Sequence, residues 1–340
     1  MNLQELERIA HKIVAKHRGI LAADESTGTI EKRFKGIGIS TSTEELRRAY
    51  REMLFATPGV GKFISGVIMY DETIRQKSKT GVPFPELQMQ QDMVPGIKVD
   101  KGTKPLAGAA GELITEGLDG LRERLQEYHK LGARFAKWRG VIDIGAGMPS
   151  AYCIRVNAQA LARYAALCQE QGLVPIVEPE VLMDGAHDIA RCAAVTSEVL
   201  ETVFHELRAQ HVALEGILLK PNMVIAGMKC PQQASVEEVA RETVKVLKQQ
   251  VPAAVPGIVF LSGGQSEVAA TAHLNAMNAL GPAPWKLSYS YGRALQAAAL
   301  TAWGGQDAKL AAGQKTFYHR AECNSAACAA TYTAQMEKAA

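Results

Sequence analysis

The chain has 340 residues, 47% of them hydrophobic, enough for a large core in one barrel-sized domain or two smaller ones. A formal charge of +3 gives no general affinity for nucleic acid or for a membrane surface. No stretch approaches the roughly 18 to 20 consecutive apolar residues of a spanning helix. The six cysteines and eight histidines form no Cys-x-x-Cys, His-x-His or His-Glu-x-x-His cluster. The expectation is a cytoplasmic protein with reduced thiols and no metal.

Residues 1–19 place Leu3, Leu6, Ile9, Ile13 and Val14 among Glu5, Glu7, Arg8, Lys12, Lys16 and Arg18. That spacing predicts an amphipathic helix capped by Asn2, and its charges do not fit a secretory signal. Short apolar runs then recur along the chain. They are Gly19–Asp24, Ile64–Tyr70, Gly96–Asp100, Phe135–Arg139, Val174–Glu178, Gly216–Lys220, Gly257–Ser262 and Trp285–Ser290. Segments of helical period lie between them. Ile189, Cys192, Val199, Val203 and Leu207 mark one, and Val236, Val239, Val244 and Leu247 another. Eight strand–helix repeats predict an α/β fold, a single-domain (β/α)8 TIM barrel. A doubly wound sheet would alternate in the same way, but no Gly-x-Gly-x-x-Gly follows the first run. The barrel with its N-terminal helix is expected over residues 1–320, with an alanine-rich tail over 321–340.

Charges interrupt or close these strands. Asp24 closes the first and Lys98 interrupts the third. Lys137 and Arg139 lie in the fourth, Glu178 and Glu180 end the fifth, and Lys220 ends the sixth. Taken alone, Lys220 reads as a strand-end lysine that reaches to water. Yet the inward face of a barrel is ordinarily Val, Ile and Leu, and catalytic groups gather at the C-terminal mouth. Charges from several strands converging there make poor packing and a good site.

Two glycine turns follow the last two strands, Ser262-Gly263-Gly264-Gln265-Ser266 and Ser290-Tyr291-Gly292-Arg293. Barrels commonly bind phosphate at these loops, where glycine lets backbone N–H groups approach an anion. Lysines, carboxylates and a phosphate site suit carbon–carbon chemistry on a sugar phosphate. Lys220 would attack a ketone as a neutral amine, with Lys137 disfavouring its protonation by like-charge repulsion. Glu178 would move protons, and Asp24 and Glu180 would orient the reacting hydroxyl. Lys98, Arg139 and Arg33 are candidates for phosphate or polar sugar contacts, together with Ser262, Gly263, Gly264, Ser290 and Arg293.

These segments resemble the class I, Schiff-base-forming fructose-bisphosphate aldolases. The motifs are Gly19–Gly28, Pro95–Gly102, Phe135–Arg139, Val177–Glu180, Leu218–Asn222, Leu261–Ser266 and Ser290–Leu295, in order through nearly the whole chain. The resemblance implies reversible cleavage of fructose 1,6-bisphosphate to dihydroxyacetone phosphate and glyceraldehyde 3-phosphate, in glycolysis and gluconeogenesis. It implies no metal or other cofactor. Lys220 matches the Schiff-base lysine, Glu178 the proton-transfer residue, and Asp24 and Lys137 further catalytic positions. Arg33, the Ser262–Gly264 loop, Ser290 and Arg293 match phosphate or substrate contacts. Family members are usually tetramers, so a homo-oligomer is expected.

The nearest rival is another Schiff-base barrel, such as a transaldolase or deoxyribose-phosphate aldolase. Two phosphate-suited regions, Lys98 with the Arg33 segment and the last two loops, favour a substrate phosphorylated at both ends. Animal members end in a tyrosine on a flexible tail, whereas the last tyrosines here are Tyr318 and Tyr332. The tail's contribution is therefore expected to differ.

Overall fold

The computed structural model describes residues 2–339. Eight parallel strands close a barrel: β1 (Gly19–Ala23), β2 (Ile64–Met69), β3 (Val94–Lys98), β6 (Phe135–Ile142), β7 (Val174–Val181), β8 (Leu218–Leu219), β9 (Gly257–Phe260) and β10 (Lys286–Tyr291). A small antiparallel hairpin, β4 (Thr103–Pro105) with β5 (Leu113–Thr115), stands outside it. The eight barrel strands are the eight apolar runs of the sequence. Their faces are buried on both sides, as a parallel sheet lined by helices requires.

The sixth run shortens to the two residues of β8. Leu214–Gly216 forms a 3-10 turn that consumes its start, and Pro221 cannot donate to the ladder at its end. Pairing still reaches the critical lysine, because Lys220 N–H donates to Val177 O at 2.8 Å.

The helix Leu3–Ile13 closes the bottom of the barrel. Asn2 caps it by accepting from Glu5 N–H. Its face of Leu6, Ile9, Ala10 and Ile13 joins one apolar cluster with Ile20, Ile68, Val94, Phe135, Ile176, Leu218 and Val259 from the strands. The floor of the barrel is thus a packed plug, which leaves the opposite end as the open face. Phe135 fills much of this interior, and the room for its ring comes from Gly96, where a Cβ would lie 2.2 Å from the ring edge.

Long helices cover the outside. Ala151–Glu170, Ile189–Ala209 and Val236–Gln250 bury the stripes that periodicity marks, Cys192, Val199, Val203 and Leu207 among them. All six cysteines are free thiols, and five are buried.

The expected boundary at residues 320 and 321 falls inside one helix, Leu310–Cys328. Phe317, Arg320, Ala321, Cys323, Asn324 and Ala327 are all buried there, so residues 321–328 belong to the packed body rather than to a tail. Beyond it a short 3-10 segment, Ala334–Ala339, is fastened through Glu337. Its carboxylate pairs with the Arg320 guanidinium and accepts from Tyr332 Oη at 2.7 Å. The last residue of the expected tail, Ala340, lies outside the described residues.

Gly96→Ala should overpack the barrel floor and cost about 1–3 kcal/mol. The check is the urea midpoint of the variant against wild type. An unchanged midpoint would mean that Phe135 moves aside freely.

Candidate active site

Parallel strands point their C-terminal ends at the open face, so a residue one or two places past a strand end projects into the mouth. Asp24 follows β1 and Lys98 ends β3. Lys137 and Arg139 point inward from the middle of β6, and Glu178 and Glu180 sit in the upper half of β7. Lys220 follows β8, Ser262–Gly264 follow β9, Ser290 lies in β10, and Arg293 opens the helix Arg293–Trp303. With Arg33 these twelve make thirteen sequence-predicted residues, and all thirteen line one open cavity of about 680 Å³. Those on or just past a strand are where strand order and side-chain parity would put them.

At the centre is a cluster of buried charges. Lys137 Nζ lies 2.8 Å from Asp24 Oδ2, 3.4 Å from Glu178 Oε2 and 3.9 Å from Asp100 Oδ2. Lys220 Nζ lies 3.1 Å from Glu178 Oε1. The Lys137, Lys220 and Glu178 side chains retain 5% exposure or less. Burial works against the charge on Asp24, but Lys137, Lys220 and Lys98 outweigh it and hold the carboxyl well below its usual range. Burial likewise works against the Lys137 ammonium, and Asp24, Glu178 and Asp100 outweigh it, so Lys137 is held firmly protonated. The sequence suggests two lysines facing each other, but here one carboxylate, Glu178, reaches both. Repulsion between the lysines therefore acts through an intervening counter-charge.

A ring of polar groups surrounds the cluster. Lys98 Nζ reaches Asp100 Oδ1 at 2.6 Å and donates to its carbonyl, and Arg139 pairs with Glu180. On the far wall the Ser290 hydroxyl is buried and has no hydrogen-bond partner. Arg293 Nη2 donates to Gly263 O at 2.8 Å, which ties the last two loops together. The sequence groups Arg33 with Lys98, and the structure corrects this. A Cβ at Gly292 would lie 3.8 Å from Arg33 Nη2, so Arg33 serves the wall formed by β10. Ser26, by contrast, lines a side cavity together with Lys98 and Asp100.

Two site residues were not singled out by the sequence reading. Asp100 bridges Lys98 and Lys137, and its one available signal was its place two residues past Lys98 at the mouth of β3. Glu25 pairs with Arg33 and with Arg51, at 2.7 Å for the latter, and accepts from Gln296 Nε2 at 3.0 Å. Arg51 comes from the helix Glu44–Phe55, and no local pattern announces that pairing. Tyr318 packs on Phe63 and Tyr332 donates to Glu337, so neither final tyrosine lines the cavity.

Among the described residues the one grouping of metal-ligating side chains is His319, Cys323 and Glu337, none of which lines the cavity. Glu337 there already holds Arg320 and Tyr332. The cavity instead offers an amine, a carboxylate in contact with it, a fixed ammonium, and N–H and hydroxyl groups suited to anions.

Comparison with known proteins places the whole chain in one family. The family model described as glycolytic, fructose-bisphosphate aldolase class-I, matches residues 5–340. A probable fructose-bisphosphate aldolase class 1 of Xylella fastidiosa is 59% identical over 326 residues, 95% of this chain and 97% of that one. Cytosolic fructose-bisphosphate aldolase 5 of Arabidopsis thaliana is 56% identical over 97% of this chain and 92% of its own. The solved structure of fructose-bisphosphate aldolase from Plasmodium falciparum, in complex with TRAP and a small-molecule inhibitor, superposes with a TM-score of 0.96. It is 51% identical, covering 97% of this chain and 96% of that one.

The Asp24 carboxyl is depressed in the folded state, so the stability it adds is present above its unfolded value of about 3.9 and is lost as pH falls below it. Asp24→Asn should therefore cost on the order of 3 kcal/mol at neutral pH, by leaving Lys137 short of a partner. The gap between the two proteins should close as pH drops below about 4. Thermal midpoints across a pH series check this, and a pH-independent gap would contradict it.

Proposed function

The chain belongs to the class I fructose-bisphosphate aldolases, metal-independent lyases of glycolysis, and we propose that it runs the aldol cleavage through a Schiff base on Lys220. The observation that carries this reading is Glu178 Oε1 at 3.1 Å from Lys220 Nζ, in a pocket that also supplies anion-binding groups.

In this reading the Lys220 amine attacks the C2 ketone of fructose 1,6-bisphosphate. Glu178 protonates the departing carbinolamine oxygen, and water leaves. The iminium that remains draws electrons from the C3–C4 bond. A carboxylate, Glu178, takes the proton from the C4 hydroxyl, and glyceraldehyde 3-phosphate departs as the electron pair is stored in an enamine. Protonation at C3 and hydrolysis of the imine then return dihydroxyacetone phosphate and the free lysine. Every step is reversible, so the same groups serve condensation.

The Lys137 ammonium stays charged throughout and stabilises the anionic oxygens that form near Asp24 and Glu178. Asp24 and Glu180 orient the hydroxyl at the bond that breaks. One phosphate falls to Ser262, Gly263, Gly264, Ser290, Arg293 and Arg33. The buried, unpartnered Ser290 hydroxyl supports that side, since a buried polar atom ordinarily has a partner. The other phosphate falls to Lys98 with Ser26 beside it, and Arg139 is left to the sugar hydroxyls. Two such regions suit a bisphosphate better than a monophosphate.

The proposal extends to a homotetramer in the cytoplasm, as is usual for the family. Cytosolic relatives support the compartment, and no helix of the described residues is long and apolar enough to cross a membrane.

Borohydride reduction in the presence of fructose 1,6-bisphosphate should leave a covalent adduct on Lys220, found by peptide mass mapping, with activity lost in proportion. Absence of the adduct, or loss of activity in EDTA, would sink the Schiff-base reading. Glu178→Gln should slow turnover by about two to four orders of magnitude while the protein stays folded. A near-normal rate would mean that another group moves the proton.

A further inference from the structure

The loop after β9 holds a contact that the reaction does not explain. Its hydrogen bonds run mostly as a tight turn would have them. Gln265 N–H returns to Ser262 O at 3.1 Å, and Gly263, at φ +50°, offers its carbonyl to Arg293. The Gly264 N–H, however, donates to the thioether of Met183, with N to Sδ at 2.8 Å. Sulfur in a thioether is a weak acceptor, so this amide is held by one of the poorest partners a side chain supplies.

Met183 is placed for this contact. It lies two residues past the end of β7 and is 3% exposed, and its carbonyl accepts from Met228 N–H at 2.7 Å. The glycines of the loop make room for it. A Cβ at Gly263 would lie 2.0 Å from Met183 Cε, and one at Gly264 would lie 3.3 Å from Met183 Sδ. Behind the loop is a further cavity of about 190 Å³, lined by Met183, Met228, Ile225, Val239 and His273 among others. A methionine has three rotatable bonds and adapts readily to such a space.

We propose that Met183 is a positioning residue of the phosphate loop. Its thioether occupies the Gly264 N–H while the site is empty and yields it to a phosphate oxygen when substrate binds. The inference rests on the phosphate assignment of this loop made above. A phosphate oxygen accepts a charge-assisted bond, roughly twice as strong as a neutral one, and therefore displaces sulfur. The thioether retreats into the cavity behind. Until then it keeps the amide satisfied and the loop in a single shape, at the cost of a modest discount on phosphate affinity.

The sign of that discount makes the test. Met183→Leu keeps the bulk and removes the acceptor. Met183→Gln keeps the length and installs a stronger acceptor, an amide oxygen. The inhibition constant of inorganic phosphate should fall about three- to tenfold in Met183→Leu, the equivalent of one hydrogen bond, and rise in Met183→Gln. The ratio of borohydride trapping efficiency for dihydroxyacetone phosphate over dihydroxyacetone should move with it, upward in the first variant and downward in the second. A side chain that merely props up the loop would weaken phosphate binding in both variants. That result, or an unchanged constant in Met183→Leu, overturns the proposal. Calorimetric titration of phosphate into the same proteins should give the same order of affinities without turnover. No Lys220 adduct in the wild-type protein, with the opposed phosphate shifts present in the two variants, would refute the Schiff-base reading and leave Met183 standing.

Discussion

Everything at the mouth of this barrel depends on how buried charges are paid for, and here they are offset by one another. Three carboxylates surround Lys137, and one of them, Glu178, is shared with Lys220. An isolated ammonium at this depth would lose its proton or unfold its surroundings. As a cluster the groups fix each other's position, and Asp24 and Lys137 hold each other charged. The arrangement is stiff because each member is borne on a different strand of a closed sheet, and no member shifts without dragging a hydrogen-bonded neighbour.

That stiffness is delivered from below. The helix Leu3–Ile13 and the Phe135 ring fill the barrel floor, so the strands are braced by packed side chains rather than by solvent. The wall proposed to receive a phosphate is built differently. It relies on two loops joined by Arg293, a hydroxyl without a partner and an amide held by sulfur. In the proposed mechanism, chemistry sits on the braced part and recognition of the anion on the part with slack.

Much of this was legible before the structure, and for a physical reason. A short apolar run that ends in a charge has few homes, and the C-terminal rim of a parallel barrel is one of them. Asp24, Lys98, Glu178 and Lys220 announced themselves in that way. Pairings through space did not. Glu25 meets Arg51 across the gap between the first strand and a helix well downstream, and nothing in either segment encodes the encounter. Arg33 was assigned to the wrong wall because β1 has two neighbours, β2 and β10, and adjacency in sequence does not say toward which of them the following helix leans. Alanine-rich composition likewise concealed that residues 321–328 carry small side chains in order to pack closely, as Ala321 and Ala327 do.

The plugged floor also bears on how the chain reaches this state. Leu6 lies against Gly216 and Val14 against Gly257, contacts that span most of the sequence. The helix is fully covered only when strands from both halves of the chain have come together, Ile20 and Ile68 with Leu218 and Val259. Such contacts make for slow folding, since the loop entropy is lost before the packing is gained.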